Sequence, residues 1–165
     1  MLDWLSSKFA MMVAALLILA SAFALLGIQR SGYEDAGLKA VADEIADGVN
    51  YVSRLNAEAR AEMNLGGNDS GGGLPSKING KAYSVNLSGT GVLVTQETKG
   101  ALAHFSSRVH AWNPAHVDLG NETAVGKMDD KVGFVLVDSG ARFVIESRMM
   151  EKEDGNGFEV FVYEG

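Results

Sequence analysis

Residues Phe9 to Ile28 read FAMMVAALLILASAFALLGI, an uncharged run in which only Ser21 and Gly27 are not apolar. At ~1.5 Å per residue such a run is long enough to cross ~30 Å of hydrocarbon as one helix. Because a second helical pattern and then strand-like segments follow, the chain is expected to be held by its start and to work through its remainder. A cleaved secretory signal is the alternative, since Ala20-Ser21-Ala22 fits a small-residue cleavage rule and would release Phe23 onward. The run exceeds the ~7–15 apolar residues of such a signal and continues past that point, so a retained transmembrane helix is expected. Lys8 precedes the run and Glu34 and Asp35 follow it, which places the N-terminus inside and the remainder outside. Trp4 and Tyr33 flank the run where amphipathic rings favour a membrane interface.

The rest of the 165 residues suffices for one modest domain. Its net charge of -7 lies outside the apolar run, so nucleic acid and anionic headgroups are poor partners. No cysteine is present, which excludes disulfides, thiol chemistry and zinc–thiolate sites.

After a polar joint, apolar residues return at Leu38, Val41, Ile45, Val49, Val52, Leu55, Ala59 and Met63. Steps of three or four make one stripe on an amphipathic helix. The sequence thus divides into a flank (1–8), a transmembrane or filament-core helix (9–28), an amphipathic helix (29–64), a Gly/Ser-rich linker (65–76) and an antiparallel β domain (77–165). In the last, Tyr83, Val85 and Leu87 alternate with polar neighbours. Val92 to Val94 follow a Ser-Gly-Thr-Gly turn, predicting a first hairpin. Val132–Val137 and Arg142–Ser147 flank Asp138-Ser139-Gly140-Ala141, predicting a second. A last strand, Phe158–Tyr163, follows Asp154-Gly155-Asn156-Gly157. The fold class expected is α+β: a long N-terminal helix, transmembrane then amphipathic, followed by a small antiparallel sheet that covers the stripe.

Chemistry-bearing constellations are sparse. His104, His110 and His116 recur every six residues, but two such positions on one extended strand stand ~20 Å apart, too far to share a metal ion. Asp129-Asp130 and Glu151, Glu153 and Asp154 lack the regular ligand spacing of a calcium loop. No nucleophile elbow or phosphate-binding glycine loop occurs. No catalytic, cofactor or metal residue is therefore assigned, and the chain is not expected to be an enzyme. Asn68, Asn86 and Asn121 each begin an Asn-x-Ser/Thr acceptor, which makes them glycosylation candidates if the domain lies outside.

An apolar helix running into an amphipathic helix and then an antiparallel sheet resembles the type IV pilin family, particularly the pilin-like proteins of archaea. The resemblance is one of architecture and covers nearly the whole chain. It implies a structural subunit of a cell-surface filament whose apolar helices bundle in the core and whose β domains face outward. Its partners would be copies of itself or other pilin-like subunits, with the membrane met through the single N-terminal helix. Ala10 and Ala14, and Ala20 and Ala24, are spaced by four and would let helices approach closely. The alternative is a single-pass, membrane-tethered extracellular binding or stator-like domain that does not polymerise.

Overall fold

Leucine, alanine and methionine dominate the first fifty residues and favour helix, and one helix, α1, runs through Leu2–Arg54. The computed structural model describes residues 2–66, 73–116, 122–152 and 155–165. Within these, the side chains of 2–15, 25–31, 116, 122–123, 151–152 and 155 lie outside the description. Two compact units are present, Met1–Glu34 and Asp35–Gly165. The first is helix alone; the second carries the core.

The helix stops where the Leu55 amide donates to the Val52 carbonyl at 3.2 Å and Asn56 turns to a φ of 45°. Asparagine tolerates this left-handed conformation better than most residues, so it suits a helix end. The stripe predicted through Met63 is therefore cut short. Ala59 and Met63 lie instead on strand β1 (Ala59–Asn64), where half-buried and exposed residues alternate. Ala59, Ala61 and Met63 satisfy a period of two as well as Ala59 and Met63 satisfy a step of four. Pairing with a neighbouring strand decides between them.

That neighbour is β6 (Arg142–Lys152), which pairs β1 on one side and β7 (Gly155–Glu164) on the other, giving a three-stranded antiparallel sheet. The second sheet has four strands in the order β4-β3-β2-β5, from β2 (Ser84–Ser88), β3 (Gly91–Gln96), β4 (Lys99–His104) and β5 (Phe134–Asp138). Its β2–β3 pair is the first predicted hairpin, with Val85 opposite Val94. The second predicted hairpin does not form, because β5 pairs β2 while β6 pairs β1. The turn at Asp138–Ala141 exists, with Gly140 at a φ of 99°, but it hands the chain from one sheet to the other. It is pinned to the end of β1, since the Gly140 amide donates to the Leu65 carbonyl and the Leu65 amide to that of Ala141, both at 2.9 Å.

Between β4 and β5 in sequence lie a short 3-10 turn (Pro114–His116) and a second helix, α2 (Glu122–Lys131), neither of which the sequence predicted. Leu38, Val41, Ile45, Val49 and Val52 of α1 share one core with Val85, Leu87, Val92, Val94 and Val137 of one sheet and Phe143, Ile145, Val160 and Val162 of the other. A smaller core forms on the far side of the three-stranded sheet, where Val144, Phe161 and Tyr163 meet Trp112 and Val125.

The expected fold class is overturned in two respects. One small sheet gives way to two antiparallel sheets with a further helix. The transmembrane helix is not found: among the described residues no helix is long and apolar enough to cross a membrane.

Candidate functional site

On α1, Leu16, Leu17, Ile18, Leu19 and Phe23 are each between 57 and 69 % exposed. Four consecutive residues step 100° each around a helix, so the apolar surface here has no polar side. The stripe of 38–52 is the opposite case, with buried residues on one side and Lys39, Asp43, Glu44 and Asp47 exposed on the other. Ser21 satisfies its hydroxyl internally by donating to the Leu17 carbonyl at 2.7 Å, so it adds no outward polarity.

The densest polar grouping lies elsewhere, over the outer face of the three-stranded sheet. The segment around His110 runs parallel to β7, its amide donating to the Val160 carbonyl at 2.7 Å and its carbonyl accepting from the Val162 amide at 2.8 Å. This sets the imidazole between Asp129 of α2, 2.9 Å from Nδ1, and Glu159 of β7, 3.3 Å from Nε2. Asp129 also accepts from Trp112 Nε1 at 2.8 Å and pairs with Arg108 at 3.3 Å. Burial works against charge on the ring, but the hydrogen bonds and charges of Glu159 and Asp129 outweigh it and hold His110 above the usual histidine range. When protonated, the ring donates to a carboxylate at each nitrogen and then offers no lone pair to a metal. Phe161, with its centroid 5.0 Å from His110 and 4.9 Å from Trp112, fills the space beneath. This network fastens α2 and the 108–112 segment to the sheet.

Two residues along the same face, Glu146 accepts hydrogen bonds from the Tyr163 hydroxyl and from Arg148 Nε. Burial alone would raise its carboxyl, and these donors lower it instead. Tyr163 is pushed up by burial and by Glu146. In the main core, burial and then the charge of Glu44 push Tyr83 up to about 12, and its hydroxyl donates to the Pro75 carbonyl at 2.6 Å. Beside Glu146 opens a cavity of about 430 Å³ lined by Glu58, Arg60, Ser147 and Arg148. Its cations already face carboxylates.

The residues singled out by sequence are dispersed. Leu38, Val41, Ile45, Val49 and Val52 are buried, whereas Leu55 stands beyond the helix end and is exposed. Ala20 and Ala24 are exposed on α1; the side chains of Ala10 and Ala14 lie outside the described residues. His104 is exposed at the end of β4, and His116 falls in the 3-10 turn. Among the described residues no group of three or more histidines and carboxylates could hold a metal ion. Asn68 and Asn121 lie outside the described residues. Asn86 is half-buried on β2, between Leu93 and Leu136 on the paired strands. The glycoprotein expectation is therefore withdrawn: the one described acceptor lies mid-sheet rather than in a loop. Sequence reasoning missed the pairing of His110 with Asp129, although a histidine two residues before a tryptophan was visible.

Comparison with protein-family models, with curated proteins and with solved structures gave no match.

Proposed function

We propose that this chain is a non-enzymatic structural subunit that assembles with copies of itself, or with other pilin-like subunits, into a pilus-like filament at the cell surface. Contact is made through the apolar turns of α1, and the unit Asp35–Gly165 is displayed. The observation that carries this reading is the all-round apolar surface at Leu16–Phe23, each large side chain more than half exposed. A helix with no polar side is stable only when enclosed, and a bundle of like helices encloses it by packing alone. Ala20 and Ala24 supply the small surface that close approach requires.

Negative-stain electron microscopy of the full chain tests it. Filaments are expected from the native sequence, with loss of filaments on Leu17→Asp, which puts a charge into the contact, and reduced yield on Ala20→Phe. Equal yield from all three would sink the reading.

A further inference from the structure

The outer face of the four-stranded sheet consists of three register-paired rows of four. They are Gly100–Thr95–Ser84–Asp138, Leu102–Leu93–Asn86–Leu136 and His104–Gly91–Ser88–Phe134, written from β4 to β5. An antiparallel face left to water ordinarily alternates toward polar and charged residues. This one holds no lysine or arginine, in a chain with 14 of them, and its one acid, Asp138, accepts from Ser84 Oγ at 2.9 Å in the corner. Leu93, Leu102, Phe134 and Leu136 stand 38 to 57 % exposed.

We infer that this face is a contact between two copies of the chain, packed sheet to sheet about a twofold axis laid along β2. Three observations select that occupant. A net charge of -7 makes copies repel over most of their surface, and the face whose central row carries no charge is where they can meet. The central row is self-complementary: with the axis along β2, Leu93 faces Leu136 of the second copy and Leu136 faces its Leu93. Asn86 then faces its own counterpart, and an amide, donor and acceptor at once, satisfies itself across a twofold axis, as an isologous contact demands. Finally, the exposed apolar surface is on the order of 400 Å², the size of a functional patch. Doubled to ~800 Å², it falls short of the ~1,200 Å² of a stable interface, so the pair is reversible and is strengthened wherever another contact holds two copies together. An acidic or basic partner would find no counter-charge in the central row.

The inference does not rest on assembly through α1, and the test separates the two. The chain has no cysteine, so a single introduced thiol reports on one position. Facing sheets ~10 Å apart are too distant for a direct disulfide, so full-length Asn86→Cys is treated with a short bis-maleimide, with and without Leu17→Asp. Cross-linked dimer is expected to form roughly tenfold faster or more than with Met149→Cys on the other sheet, in both backgrounds. Equal rates at the two positions would overturn the contact. A second arm mixes charge variants: Asn86→Asp and Asn86→Lys should each abolish the reversible dimer seen by sedimentation, and an equimolar mixture should restore it. Dimerisation by either variant alone, or none by the mixture, would overturn the twofold arrangement. Filaments without position-86 cross-linking would reject this contact alone. Cross-linking without filaments would reject the α1 reading alone.

Discussion

On the outer face of the three-stranded sheet, Val144, Phe161 and Tyr163 lie beneath Trp112 and Val125, while on the outer face of the four-stranded sheet Leu93, Leu102, Phe134 and Leu136 stand in solvent. Both faces are apolar along their central rows. What differs is that one has a cover from its own chain, fastened by charged hydrogen bonds at its rim. Asp129 reaches from α2 to His110, Trp112 and Arg108, and Glu159 holds the imidazole from the strand below. Buried polar groups of this kind add specificity when every member is partnered, and among the described residues no buried side-chain polar atom lacks a partner. The other face has apolar content without a rim of fixed charges. A cover that is not permanently attached needs no such fastening.

The sharpest way to break this comparison is to truncate one large residue on each face. Phe161 is fully buried between His110 and Trp112, so Phe161→Ala should cost about 3–5 kcal/mol through lost transfer energy and a cavity. Leu136→Ala, already more than half exposed, should cost under about 1 kcal/mol in the dilute, monomeric chain. Urea unfolding of both variants decides it, and comparable losses would mean that the second face has a cover in the monomer. The next largest effect belongs to the fastening. Asp129→Ala leaves the Trp112 N–H and the His110 Nδ1 without their carboxylate, in a side chain 13 % exposed, and should cost about 3 kcal/mol. Its mark is local: amide exchange should quicken in α2 and at 108–112 while β2 and β3 stay protected. Uniform acceleration would show that the cover and the main core unfold as one.

Much of this contrast is legible in the sequence, and some of it is not. The step of three and four from Leu38 to Val52 and the alternation from Tyr83 to Val94 specify an amphipathic helix and a hairpin by local pattern alone. The same pattern misleads at Leu55, Ala59 and Met63, because a step of four is also two steps of two. The choice was made by β6, about eighty residues later in the chain. Asp138–Ala141 carried correct turn chemistry and a wrong consequence: whether the strands on either side pair with each other depends on Leu65, which holds the turn from outside. The run 9–28 read as a membrane span on length and hydropathy, which measure what a helix would tolerate and not what encloses it. The His110–Asp129 pair joins positions nineteen apart across an unpredicted helix; no spacing rule reaches it. The bare face was hidden differently, since Leu93, Leu102 and Leu136 become a row only once three registers are known.

The smallest effect is the dependence of the fastening on pH. His110 is held above its ordinary range in the folded chain, so folding takes up protons there. Stability from this group is fully present below the unfolded value near 6.5 and is lost as pH rises through the higher folded value. The groups that face the ring are Asp129 from α2 and Glu159 from β7. Arg108 lies beyond Asp129, and Arg148 is opposite Glu159 across the β6–β7 ladder. Glu146 acts in the other direction. Its lowered carboxyl contributes above the ordinary carboxylate value and is lost as pH falls through the folded one. Stability should therefore fall at both ends, the alkaline fall through His110 and the acid fall through Glu146, both on the covered face. In His110→Asn, which keeps a donor toward Asp129 but cannot titrate, the difference from the native chain should shrink as pH climbs past the folded value, because the native chain has lost the charge that the variant never had. An unchanged difference from pH 5 to 9 would mean that packing against Phe161 and Trp112, and not the imidazolium, is what His110 contributes. The two outer faces would then differ in shape alone.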